Sequence, residues 1–165
     1  MNLAEAAGRA SELAEAGAER ELAQLRQQWD DDVEAAARHA DYRIRALAYR
    51  AVGQFRYRQK MELLRRGLED ESPAARGSAL LSLELLSREA PGAVNALRPL
   101  LHELLSRDPN AAVRRLAIAA LRNGSPQRDT IVLLAGLADD DEQDRDVREA
   151  ARKVAAALTK KSRSR

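Results

Sequence analysis

The residues best equipped for chemistry lie between positions 38 and 66. Tyr42, Arg45 and Tyr49 stand at i, i+3 and i+7, a spacing that puts them on one side of a helix. Arg38 and Arg43 are close by, and Arg50, Phe55, Arg56, Tyr57, Arg58 and Lys60 follow. Four of the chain's five aromatic residues fall between 42 and 57. Cations interleaved with aromatic rings suit two kinds of ligand. A nucleic acid would take phosphate contacts and base stacking, with Arg38, Arg43, Arg50, Arg56, Arg58 and Lys60 as the contact residues. An anionic protein partner would take ion pairs and cation–π anchors from Tyr42, Arg45, Tyr49 and Arg50. A structural alternative stands beside both: Tyr49 and Phe55 pack between helices and the arginines face water.

Catalytic machinery is not visible. The two histidines, His39 and His102, are far apart, and Gly77-Ser78 lies outside any Gly-x-Ser-x-Gly context. The acids Asp139-Asp140-Asp141-Glu142, with Asp144 and Asp146, lack the glycine and terminal glutamate spacing of a calcium loop. They read as helix-capping acids, and Asp30-Asp31-Asp32 reads the same way. No cofactor or metal is expected. A chain of 165 residues without cysteine has no disulfide framework and no thiolate metal site, which fits a reducing compartment. The longest apolar run, Ile131 to Ala138, has eight residues, against about 20 for a membrane span. No secretory leader is expected from Met1 to Gly8. The expectation is a soluble, cytoplasmic protein with no membrane insertion.

The net charge of +2 hides blocks of opposite sign. Residues 1–37 carry nine acids against three bases, and residues 38–66 carry nine bases against two acids. Residues 126–149 carry eight acids against three bases, and residues 150–165 carry six bases and no acid. Complementary blocks of this kind can also join copies head to tail.

Helical periodicity positions these groups, and no stretch alternates in the manner of a strand. Ser72-Pro73, Asp108-Pro109 and Ser125-Pro126 each read as an N-cap followed by proline at the first helical position. Asp41 reads as a cap without proline. Helix pairs are predicted at 18–40 with 41–54, 57–70 with 73–88, 92–107 with 109–122 and 126–138 with 144–159. Residues 2–17 form an additional helix. First helices of each pair carry leucine stripes, whereas second helices carry Ala48, Ala79, Ala117 and Ala151 at their core positions. Four copies of one phrase underlie the pairs. Ile44-Arg45, Ala75-Arg76, Val113-Arg114 and Val147-Arg148 begin them, at intervals of 31, 38 and 34 residues. A period in this range marks stacked copies of one supersecondary unit.

The stretch Asp108-Pro109-Asn110-Ala111-Ala112-Val113-Arg114-Arg115-Leu116-Ala117-Ile118-Ala119-Ala120-Leu121 resembles the second helix of a HEAT repeat. Looser copies stand at 41–52, 72–83 and 144–155, and Pro99 resembles the proline often found inside such a repeat's first helix. The resemblance covers about residues 30–159. It implies an all-α fold, a right-handed α-α superhelix (solenoid) of about four HEAT-like helical hairpins plus an N-terminal capping helix. The whole is a single domain, 1–159. The capping helix is 1–17, the repeats are about 18–54, 57–88, 92–122 and 126–159, and 160–165 is a flexible basic tail. The resemblance also implies a ladder from turn aspartate to repeat arginine, with Asp41/Arg45, Asp70/Arg76, Asp108/Arg114 and one of Asp141 to Asp146 with Arg148 as members.

HEAT arrays serve as scaffolds, regulatory subunits and adaptors, and in one glycosylase family as DNA-binding enzymes. This chain lacks that family's continuous basic floor and has a single tryptophan, Trp29. Solenoids bind on the concave side, lined by second helices. The fifth and sixth residues after each phrase start are Tyr49-Arg50, Leu80-Leu81, Ile118-Ala119 and Arg152-Lys153. A floor lined by them is apolar in the middle and basic at both ends, which fits a peptide or helix with a hydrophobic centre and acidic flanks. Alternatively Leu80 and Ile118 lie wholly in the core. The expectation is a non-enzymatic scaffold or adaptor gripping a protein segment, with nucleic-acid binding through 38–66 as the second reading.

Overall fold

A computed structural model describes residues 1–164. Among them it contains nine α-helices and no strand: α1 (Leu3–Glu15), α2 (Glu19–Ala37), α3 (Tyr42–Gln54), α4 (Met61–Leu68), α5 (Pro73–Ser87), α6 (Gly92–Arg107), α7 (Ala111–Leu121), α8 (Arg128–Ala138) and α9 (Arg145–Arg163). The all-α expectation and the sequence of helical pairs are met. The chain divides into two compact units, Met1–Leu86 and the remainder from Ser87.

In the first unit, α1 starts with a capping box. The Asn2 side chain accepts from Glu5 N–H while the Glu5 carboxylate takes Asn2 N–H. The turn into α2 passes through Gly17 at φ 71°, a left-handed position that a side chain would strain. Asp41 caps α3 by accepting from Arg43 N–H, and the Ser72 hydroxyl caps α5 by accepting from Ala75 N–H at 3.4 Å. The helices α1, α2 and α3 pack on one another. The core between them is Ala6, Ala10, Leu22, Val33, Ala48 and Val52, all fully buried.

The alanine positions behave as the repeat pattern requires. Ala48, Ala79, Ala117 and Ala151 each have 0% exposure, so every second helix buries a small residue at this position of the phrase. A close contact joins two second helices, α3 and α5. The Ser82 hydroxyl accepts from Gly53 N–H at 2.9 Å and donates to the Tyr49 carbonyl. It therefore bridges the two groups that the i→i+4 ladder of α3 would join. A Cβ on Gly53 would stand 2.7 Å from Ser82 Cα, closer than real carbon atoms approach.

In the second unit, α6 packs on α7, and α9 packs on both α7 and α8. Pro99 lies inside α6, as the resemblance implied. Two expected caps are corrected. The N-cap of α7 is Asn110, which accepts from Val113 N–H; Asp108 instead accepts from Asn110 N–H, so Pro109 precedes the helix. Ser125 turns away from α8, its N–H and hydroxyl both donating to Asn95 at 3.1 and 3.0 Å. That leaves Pro126 outside a helix that begins two residues later. Asp144 caps α9, accepting from Asp146 N–H at 3.0 Å.

The expected flexible tail is also corrected. Helix α9 continues through Arg163, and Lys161 Nζ donates to the carbonyls of Arg122 and Gly124 at 2.9 and 3.0 Å. An ammonium on the carbonyl end of α7 is favoured by that helix's dipole, and it ties the last turns of α9 down. Arg165, the end of the expected tail, lies outside the described residues.

A buried polar cluster joins α6 to α8. Arg98 is 5% exposed and donates to Thr130 Oγ1 at 2.9 Å and to the Ser125 carbonyl at 3.2 Å. His102 Nε2 lies 2.9 Å from the same Thr130 hydroxyl. Burial pushes the His102 imidazole below its ordinary value; the Asp129 carboxylate opposes this and Arg98 adds to it. A histidine lowered on folding binds its proton more readily unfolded, so stability rises with pH across the window just below 6.5. The urea midpoint of the second unit is therefore expected to fall as pH drops from about 7 to about 5. A His102→Gln variant should lose most of that dependence. An identical pH profile for the two proteins would contradict the assignment.

Candidate partner-binding surface

Helix α3 divides the expected binding residues into two groups. Its core side carries Ala48, Tyr49 and Val52, and its outward side carries Arg43, Leu47 and Arg50 at helical spacing. Tyr49 is 2% exposed, its hydroxyl 3.5 Å from the Ala37 carbonyl and its ring over Gly67 of α4. Tyr49 therefore cannot meet a partner, although it was expected to. Leu80 and Ile118, both 0% exposed, are corrected in the same way. The reason is register: the fifth residue after Ile44, Ala75 and Val113 turns into the core, and the sixth turns outward. Leu81 is accordingly 41% exposed, and Arg50 and Ala119 are partly exposed. In α9 both residues of the pair, Arg152 and Lys153, are exposed.

Arg45 is also removed from the candidate contacts. Its guanidinium fork holds the Asp70 carboxylate through Nε at 2.9 Å and Nη2 at 3.1 Å, and Nη1 donates to the His39 and Ala40 carbonyls. Burial pushes the Asp70 carboxyl up, but the bonds from Arg45 and from Ser72 N–H outweigh it, and the carboxyl ends below its ordinary value. This is the repeat-to-repeat rung that the resemblance implied, with a different partner. Asp41 was paired with Arg45 by sequence; it caps Arg43 N–H instead and lies 3.4 Å from the Arg43 side chain. Arg76 and Arg114 each donate Nη1 to a backbone carbonyl six residues back, Asp70 and Asp108, at 2.8 and 2.7 Å.

The basic-aromatic block is largely spent on holding the fold. Lys60, 7% exposed, donates to Asp30 at 2.8 Å and to Glu34 at 2.7 Å, and its ammonium stands 5.0 Å from the centre of the Tyr57 ring. Burial disfavours that ammonium, yet the two carboxylates raise its pKa above the ordinary lysine value. Phe55 and Tyr57 are fully buried with ring centres 5.2 Å apart, and the Tyr57 hydroxyl donates to the Arg26 carbonyl. Arg56 sits at φ 60° just beyond α3 and donates to the Gly53 carbonyl at 2.7 Å. Arg38 lies 3.9 Å from Glu34. Of the six nucleic-acid candidates, Arg38, Arg43 and Arg58 are exposed, Arg38 beside its acid. Lys60 is removed by its burial and its two acids.

Aromatic, apolar and basic side chains are exposed or half-exposed along α3 and α5. Tyr42 is 46% exposed with the Arg43 guanidinium 5.6 Å from its ring centre, and Leu47 and Arg50 continue the same helix. Burial and the nearby Arg56 lower the Arg50 pKa. On α5, Ser78, Leu81 and Leu85 share one exposed or half-exposed side, next to Ser82 and its bonds to α3. Leu47, Ser78 and Leu85 were missed from sequence. The i, i+3, i+7 relation of 78, 81 and 85 was available to find them. In the second unit, Val132 of α8 is 60% exposed. No group of three or more acids or histidines among the described residues could hold a metal ion, and no helix is long and apolar enough to cross a membrane.

Helical hairpins with small residues on every second helix, caps at the turns and an aspartate–arginine rung define an all-helical repeat protein. Residues 31–103 match the family model for HEAT repeats. Over that range the chain is similar to HEAT repeats, and its all-helical architecture is consistent with a HEAT-like solenoid. The copy at 108–121, the nearest to the family pattern in sequence, lies beyond the matched range. No curated protein matches the chain. HEAT repeats generally serve as protein-interaction scaffolds and are typically non-catalytic.

Proposed function

We propose that this chain is a scaffold or adaptor that holds an amphipathic segment of a protein partner on the outward side of α3 and α5. The observation that carries the reading is the set of side chains that α3 and α5 leave exposed or half-exposed. Tyr42, Leu47, Leu81 and Leu85 supply apolar contact, and Arg43 and Arg50 supply positive charge beside it. Contact of this kind suits a helix or extended peptide with leucine or phenylalanine at its centre and acids at its flanks. The exposed tyrosine and the arginines are residue types that dominate binding energy when a partner covers them. A reducing intracellular setting, cytoplasmic in this reading, accords with the absence of cysteine.

Labelled peptides of about 15 residues, an apolar core flanked by Asp and Glu, test the reading by fluorescence anisotropy. Binding is expected from these and not from the same cores with Lys flanks. The Arg50→Glu, Leu81→Glu double variant should bind at least about tenfold more weakly with its helical circular dichroism unchanged. Equal binding of both peptide classes, or an unchanged affinity in the double variant, would contradict it.

A further inference from the structure

We propose that the solvent face of α9 binds the acidic surface of α1 and α2 of a second copy, joining chains head to tail. The core side of α9 is Val147, Ala151, Val154 and Leu158. The opposite side carries Arg152, Lys153, Lys160 and Arg163, all exposed. Arg145 on that side is matched by Glu149 at 3.2 Å. The other four have no ion pair among the described residues, and the one bond Arg152 makes is to the Ala138 carbonyl at 3.4 Å. Four like charges over about 16 Å of helix repel one another, and an anionic occupant relieves that.

The chain itself supplies a matching occupant. On α1, α2 and the turn between them, nine acids face three bases. Glu15, Asp31 and Asp32 are exposed and carry no ion pair among the described residues. Glu12 and Glu21 share one arginine, Arg9, at 3.4 and 3.7 Å. Because the two surfaces differ, the contact is heterologous, and each added copy leaves one surface of each kind open for growth. Exposed ion pairs are individually weak and screened by salt, so the association is concentration-dependent and confined to low ionic strength. It uses a different surface from the α3–α5 patch, and the two proposals fail separately.

Sedimentation velocity of the full chain at about 20 mM and about 300 mM salt provides the test. At the lower salt the weight-average mass should at least about double with rising concentration, and at the higher salt it should stay monomeric. Two variants isolate the surfaces: R152E/K153E/K160E/R163E on α9, and E15K/D31K/D32K on α1 and α2. Each alone should remain monomeric, and an equimolar mixture should associate again, with circular dichroism confirming the fold of both. A monomer at every wild-type condition would overturn the proposal. So would variants that associate as the wild type does, or a basic face that binds duplex DNA without any self-association.

Discussion

Replacing Gly53 with leucine is expected to lower the stability of the first unit by about 3 kcal/mol, at the upper end of overpacking costs. The new Cβ alone would stand 2.7 Å from Ser82 Cα, and backbone cannot move aside as a flexible side-chain end can. Separating α3 from α5 also removes the Ser82 hydroxyl from Gly53 N–H and the Tyr49 carbonyl. Both groups are buried and would be left to find each other or go unmet. Urea unfolding followed at 222 nm measures the loss. A Gly53→Leu protein as stable as the wild type would mean that the two second helices are not held this closely.

Replacing Leu101 with alanine should cost about 2–5 kcal/mol, the range for a fully buried leucine whose surroundings relax only in part. Leu101 has 0% exposure on α6. The same change at Leu81, 41% exposed, should stay within about 0.5 kcal/mol. The contrast between the two variants, one in each unit, separates core from surface within one chemistry. Equal destabilisation by both would contradict the burial assigned to them.

The elements were legible in sequence because periodicity, capping side chains and the repeat phrase agree with one another. Helix existence follows from those local rules, and the alanines at 48, 79, 117 and 151 follow from the phrase itself. What escaped depended on distant partners. Ser125 looks like a cap until Asn95, 30 residues earlier, takes both its donors. Arg45 looks available to a ligand until Asp70, 25 residues on, fills its fork. Lys60 looks like a phosphate contact until Asp30 and Glu34 meet it from the preceding hairpin. A charged side chain in a helical repeat is as apt to serve the neighbouring hairpin as a partner, and sequence alone does not show which.

The candidate surface was legible by half. The sixth residue after each phrase start does turn outward at Arg50, Leu81 and Lys153, whereas the fifth is buried at Tyr49, Leu80 and Ile118. An error of one position on a helix is a rotation of about 100°, enough to exchange core for solvent. Tyr42, at the start of α3, stays exposed where Tyr49, two turns on, does not.

Hydrogen exchange of the chain with and without a bound acidic-flanked peptide tests the central claim most directly. New protection is expected in α3 and α5, strongest over residues 42–50 and 78–85, with α2 and α4 unchanged. Protection appearing instead on α2 and α4, with α3 and α5 exchanging as before, would contradict the assignment of the second helices as the partner-binding side.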